Sequence, residues 1–241
     1  MEFIKSLVSV SNDILWSYVL VVMLIALGLW FSFKTKFVQL RMIREMIRLL
    51  KEGVSHDGGH AHISSFQAFC ISTASRVGVG NIAGIAIAIM AGGPGAIFWM
   101  WVIAVIGAAS GFTESTLAQI YKVRDPQTFG FRGGPAYYYG ESNIQFFSTK
   151  SVYLLIFRIM VVGMVAFGSV AELPFVWNLA DLFMALMAIV NLIAITLLGR
   201  NAFLALKDYQ EQKKAGVADP VFHPEKLVDR HGIEAWDNVS R

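Results

Sequence analysis

Charge is scarce in this sequence of 241 residues. Asp, Glu, Lys and Arg make up only 15% of it, and apolar residues 56%, against roughly 25% and 45–50% in ordinary soluble domains. That scarcity excludes a water-soluble globular domain with a charged shell. Cysteine is rarer still: Cys70 stands alone, which excludes an internal disulfide and reads as a small apolar packing residue. A phosphate-binding glycine loop is missing, as are a paired nucleophile and base and a convincing metal cluster, so a membrane enzyme has little support. A mean hydropathy of +0.57 makes the chain an all-α, multi-spanning membrane protein. The net charge of +3 and pI near 9.0 would suggest nucleic acid in a soluble domain. Here the cations are loop residues that set orientation, and no nucleic-acid partner is expected.

Five apolar runs are long enough to span a bilayer, which takes about 20 residues as helix. They are 14–33, 65–91, 96–121, 152–171 and 175–198. The first lacks a small-residue cleavage site and reads as a retained span. Between the first and second runs, Phe37, Leu40, Ile43, Ile47 and Leu50 alternate at helical intervals with Arg41, Arg44, Arg48 and Lys51. That pattern predicts a helix in the membrane interface, acting as a cationic anchor where the chain turns back. The run His56–His62 holds three histidines and an aspartate, but its two glycines and the lack of a second ligand cluster favour a linker over a metal site. The stretch 199–241 is charged, contains Pro220 and Pro224, and is expected to be an exposed, partly disordered tail.

Eighteen of the twenty lysines and arginines fall in 34–63, 122–158 and 200–241. The excess of cations places those segments in the cytoplasm, with the N-terminus outside and the C-terminus inside. Arg76 is the one basic residue in the middle of a span. An arginine at that depth is a functional hypothesis by default, with Glu114 as the nearest candidate partner in sequence. A helix-packing acid satisfied by Thr113 or Ser115 explains Glu114 at least as well. Asn178 and Asp181 share a helix face, with Asn191 further along; a contact between helices accounts for them as well as a transport pathway does.

The second span is the unusual one. Ser72–Gly95 reads STASRVGVGNIAGIAIAIMAGGPG, with Gly78, Gly80 and Gly84, Arg76 and Asn81 where leucine would be ordinary. Each glycine costs about 1 kcal/mol against alanine in a helix interior, so the helix is expected to open around Val77–Asn81. Irregular backbone at membrane depth is tolerated only when buried in protein or facing a wet cavity, where freed amides hold anions and freed carbonyls cations. The competing reading is a helix-packing face, because Gly80 and Gly84 have the small-xxx-small spacing.

Two motifs stand together here. The GVGNIAG element and the GGPGAIFWMW element lie within ISSFQAFC…YKVRD, followed by FRGGPAYYY, and this stretch closely resembles the amino-terminal part of the alanine/glycine:cation symporter family. YYYGESNIQFF, VWNLADLFMALMAIVNLIAITLL and KDYQEQKKAG…DPVF resemble that family's last two spans and tail. The chain therefore divides into 1–136, with three spans of which the second is broken; 137–199, with the last two spans; and 200–241, the cytoplasmic tail. The family is expected to have about eleven spans in two inverted repeats. The five here imply an internal deletion, joined at Tyr137-Tyr138-Tyr139.

The resemblance implies sodium-coupled symport of a small neutral amino acid, alanine or glycine, across a bacterial inner membrane, with sodium as coupling ion and the lipid bilayer as surroundings. The neurotransmitter:sodium symporter relatives share a VGxGN pattern at their broken helix. Carried over, the substrate carboxylate falls to Gly78, Val79, Gly80 and Asn81, chiefly to the amides around Val79 and Gly80. One sodium falls to the carbonyls of Ala74 and Val77, and another to the Asn81 side chain with the Arg76 carbonyl. Val79 stands where threonine or serine is common, and Arg76 puts a fixed charge beside a cation site. The loss of the middle removes the surface against which a broken helix moves. That leaves two alternatives, self-association or a non-transporting member that binds a full-length relative.

Overall fold

The computed structural model describes residues 2–51, 56–57, 60–61, 64–77, 79–124, 131–132, 151–228, 233 and 236. The architecture is all-α, with two antiparallel pairings of two residues each, His56–Asp57 with His60–Ala61 and Val123–Arg124 with Phe131–Arg132. The helices are α1 (Glu2–Lys34), α2 (Val38–Arg41), α3 (Ile43–Leu50), α4 (Ser65–Arg76), α5 (Val79–Gly92), α6 (Gly95–Ile120), α7 (Ser151–Val170) and α8 (Leu173–Lys214). Four of the five expected apolar runs are each covered by one helix to within a residue, and the second, 65–91, is covered by two, α4 and α5, with Val77 extended between them. Of these helices α1, α6 and α8 are long and apolar enough to cross a membrane, and α5 and α7 contribute shorter apolar stretches.

Two helices outrun their expected limits. α1 begins at Glu2 and passes through a π-helical turn at Leu15–Leu20. α8 does not stop near Leu198 but continues through GRNAFLALKDYQEQKK to Lys214, giving 42 residues and a length of about 63 Å, twice the hydrocarbon thickness. Its extension is rich in Ala, Leu, Lys, Gln and Glu, all strong helix formers. It ends at Gly216, whose φ of +84° suits the left-handed position that closes a helix. Residues 199–214 are therefore ordered helix, which corrects the expectation of a partly disordered tail for that stretch.

The chain forms two compact units, 1–28 with 110–241 and 29–109. In the first, α1 lies against the start of α8. Asn12 donates from Nδ2 to the carbonyl of Asn178 at 2.7 Å, and Trp16 from Nε1 to that of Asp181 at 3.2 Å. Lys5 pairs with Glu172 at 2.7 Å. The polar face Asn178/Asp181 thus meets α1 through its backbone carbonyls, a helix-packing contact. Further along, Ile120, Leu227 and Ile233 are buried together, with Phe222 and Trp236 packed on them.

In the second unit the chain turns at Lys36 and Phe37, both with left-handed backbones at φ 55° and 52°. The turn is held by buried groups. Phe31, Ser32, Thr35 and Val38 are at most 1% exposed, and the Thr35 hydroxyl donates to the Phe31 carbonyl at 2.8 Å. Gln39 donates from Nε2 to the Ser32 hydroxyl at 3.0 Å. The helix expected at the membrane interface comes in two pieces, α2 and α3, joined at Met42. α4 starts in a capping box: Ser64 Oγ accepts from the Gln67 N–H at 3.1 Å, and Gln67 Oε1 from the Ser64 N–H at 3.0 Å.

Candidate functional site

The glycine-rich span is two helices. α4 ends at Arg76, and Val77 adopts an extended backbone (φ −92°, ψ 106°) before α5 begins at Val79. The opening is narrower than the sequence suggests, since Val79, Gly80 and Asn81 already lie in the first turn of α5. A helix end leaves up to four carbonyls or amides without intrahelical partners. Of those at the end of α4, the Thr73 carbonyl is taken by the Val77 N–H at 3.1 Å. The carbonyl end of one helix and the amide end of another therefore stand a residue or two apart in the chain. Such a pair offers hard oxygen acceptors to a cation and N–H donors to a carboxylate.

Ala74 and Val77 are exposed at the break, as is Asn81. Gly78 and the side chains of Arg76 and Val79 lie outside the described residues, and so does any pairing of Arg76 with Glu114. Glu114 is half-buried on α6, where the neighbouring Thr113 is fully buried. Beside the break the apolar side chains are open: Ile71, Val77 and Ile82 are between 56% and 71% exposed. A methyl group added at Gly84 would meet nothing within 4 Å, so the small-xxx-small face has no partner helix among the described residues. Cys70 is likewise exposed rather than packed. Among the described residues no group of three or more His, Cys, Asp and Glu could hold a metal ion; the side chains of the histidine run 56–62 lie outside them.

A second polar constellation, unmarked in the sequence reading, sits on the extension of α8. Asp208 is 5% exposed. Its carboxylate pairs with the Lys226 ammonium, lies 3.0 Å from His223 Nδ1 and accepts from Gln212 Nε2 at 2.8 Å. Gln212 also exchanges hydrogen bonds with the Val221 backbone, donating at 2.7 Å and accepting at 2.9 Å. Burial pushes the Asp208 carboxyl up, but hydrogen bonds from Lys226, His223 and Gln212 outweigh it and hold the group below its ordinary value. Asp208 lies ten residues past the apolar run that ends at Leu198. The Asp208 bond raises the Lys226 ammonium in turn.

Nearby, Lys122 Nζ stands 4.3 Å from the ring centre of Phe131 and 4.2 Å from that of Trp236, and its burial lowers its pKa. Trp236 donates from its indole N–H to the Gln119 carbonyl at 3.2 Å. Residues 217–228, with Ile233 and Trp236, thus strap the end of α6 to the extension of α8. The one sequence signal for it was the Asp208/Gln212 spacing of four followed by His223 and Lys226.

No solved structure matches this chain. The sequence profile of the Sodium:alanine symporter family matches it twice, over residues 1–139 and 136–224. The two matches overlap at Ala136-Tyr137-Tyr138-Tyr139. The probable sodium/glutamine symporter GlnT of Bacillus subtilis (strain 168) is 29% identical over 465 aligned residues, covering 98% of this chain and 96% of the relative. A chain of 241 residues cannot fill 465 positions, so about half of that alignment faces nothing here. The amino-acid carrier protein AlsT of the same organism is 53% identical over 137 residues, 57% of this chain and 28% of the relative. The sodium/alanine symporter AgcS of Methanococcus maripaludis is 36% identical over 138 residues, 57% of this chain and 30% of the relative. In matches of that kind the chain spans under a third of the relative's length. With two profile matches that together cover residues 1–224 and three helices long and apolar enough to cross a membrane, this multi-pass membrane protein belongs to the sodium:alanine symporter family.

Proposed function

We propose that the chain carries the family's substrate site at the α4–α5 break and binds a small neutral amino acid, alanine or glycine, together with sodium. The observation that carries this reading is the extended backbone at Val77 between two helices, immediately before the GVGNIAG element. The amides around Gly78, Val79 and Gly80 receive the substrate carboxylate. The carbonyls of Ala74 and Val77 face one sodium, and the Arg76 carbonyl with the Asn81 side chain another; all are hard oxygen donors, as sodium prefers. The loops rich in lysine and arginine face the cytoplasm, with the N-terminus outside.

A second reading is favoured by a specific observation: the apolar side chains flanking the break are exposed, and about half the positions of the longest alignment are empty. In that reading the chain is a non-transporting member that associates with itself or with a full-length relative. Alanine or glycine binding by the purified, detergent-solubilised chain, with and without sodium, separates the two. Sodium-dependent binding lost in Asn81→Ala supports the site. No binding by a folded, monodisperse sample overturns it, and capture of a full-length relative by that same sample then establishes the second reading.

A further inference from the structure

The turn that follows α1 presents more positive charge than it balances. Arg41, Arg44, Arg48 and Lys51 recur at i, i+3, i+7 and i+10 along α2 and α3, so they share one face, and Lys34 and Lys36 precede them. Only Arg48 is neutralised locally, by a two-pronged pair with Glu45 at 2.8 and 3.0 Å. Lys34, Lys36, Arg41, Arg44 and Lys51 are exposed, and none has a carboxylate partner among the described residues. On the adjoining face of the same two-piece segment Leu40, Ile43 and Ile47 are 46–55% exposed.

The segment is held where it is. Val38 and Thr35 are buried, and Gln39 bonds Ser32 near the end of α1 and, at 3.5 Å, the carbonyl of Val105 on α6. Phe37 meets Phe33 edge-on, ring centres 5.4 Å apart. A fixed amphipathic segment, with an apolar face adjoining an unbalanced row of cations, directly follows a helix long and apolar enough to cross a membrane. Water alone would satisfy the cations but leave the isoleucines and leucine exposed; a zwitterionic surface would cover the apolar side but leave the charge unbalanced.

We propose that Lys34–Lys51 is a docking surface for anionic phospholipid headgroups. Leu40, Ile43 and Ile47 enter the acyl boundary, and Lys34, Lys36, Arg41, Arg44 and Lys51 engage the phosphates of the anionic leaflet. Each cation held near such a leaflet is worth about 1 kcal/mol, or roughly fivefold in local partition.

The test uses the whole chain in nanodiscs of phosphatidylcholine, with or without phosphatidylglycerol, and reads amide exchange over 38–50. Exchange is expected to slow at least about tenfold when phosphatidylglycerol is present. High salt should erase that protection, as should the triple variant Arg41→Gln, Arg44→Gln, Lys51→Gln. Equal exchange of the wild-type chain in the two lipids overturns the proposal. Protection in phosphatidylcholine discs by inorganic phosphate alone also overturns it, because the surface would then be a free-anion site. The salt titration needs only the wild-type chain, so the proposal stays testable if the variant fails to fold.

Discussion

Asn201 on α8 donates from Nδ2 to the hydroxyl of Tyr121, just past the end of α6, at 2.7 Å. The two residues come from the stretches that match the family separately, one on each side of the tyrosine join. The surviving parts therefore make a specific polar contact of their own with the middle of the family fold absent. Asn201 is 5% exposed, so the bond is sheltered. Tyr121→Phe removes the acceptor while keeping the ring, and should cost about 1 kcal/mol, read as a lower melting temperature in detergent. Combining it with Asn201→Ala should cost less than the sum of the two single changes. A Tyr121→Phe variant that melts with the wild type would show that the contact contributes nothing.

The strap at Asp208 should hold over a defined pH window. The Asp208 carboxyl is held below its ordinary value of 3.8, so its contribution is present above that pH and lost as the pH falls through the lowered value. The Lys226 ammonium is raised above 10.5, so its contribution is complete below that value and lost as the pH rises through the raised one. Protease cleavage within 217–228 should be slow and nearly constant between those limits and should accelerate beyond each. Asp208→Asn should speed cleavage at neutral pH on the order of tenfold, because one charged partner of three donors is gone. Equal cleavage of variant and wild type would mean that the strap is held by Leu227 and Ile233 alone.

The helices were legible because hydrophobic runs of twenty residues have few other ways to satisfy their backbones. The break at Val77 was legible for a local reason, the cluster of glycines where leucine belongs. What the sequence concealed depends on distant partners. The extension of α8 to Lys214 is written in good helix formers, but its charge and the later prolines suggested a tail instead. Asp208 meets His223 and Lys226 only because Gly216 turns the chain back, and Lys122 gains its two aromatic faces from residues 9 and 114 positions away in sequence. Neither a helical period nor a motif encodes such meetings. The exposure of Cys70 is concealed likewise, since a small apolar residue in a span reads as packed although it can equally face lipid or another chain.

The start of α4 sets how firmly the break is framed from the end of α4 that follows residues 52–63. Ser64 and Gln67 satisfy each other's backbone amides, and removal of an N-cap hydroxyl usually costs about 1 kcal/mol. Ser64→Ala should therefore speed amide exchange in the first turn of α4, roughly fivefold, while leaving α8 unchanged. Ser64→Asp should restore protection, because an aspartate caps as well as serine. Fast exchange in both variants would show that the first turn frays irrespective of its cap.

Two glycines, one within α5 and one directly after it, should respond in opposite directions. Gly93, directly after α5, has φ +66° and donates its N–H to the Ile89 carbonyl at 2.8 Å. A side chain there must adopt a left-handed backbone, and Gly93→Ala should cost about 1 kcal/mol. Gly84 lies within α5, and a methyl group there meets open space, so Gly84→Ala should be neutral or gain up to about 1 kcal/mol of helix preference. Melting of the purified chain checks both. Destabilisation by Gly84→Ala would mean that a neighbouring helix presses on that face in the purified state, which makes self-association through α5 the thing to measure by cross-linking. An unchanged or higher melting temperature, with capture of a full-length relative weakened by the same substitution, would place the missing partner of the Gly80/Gly84 face on that relative.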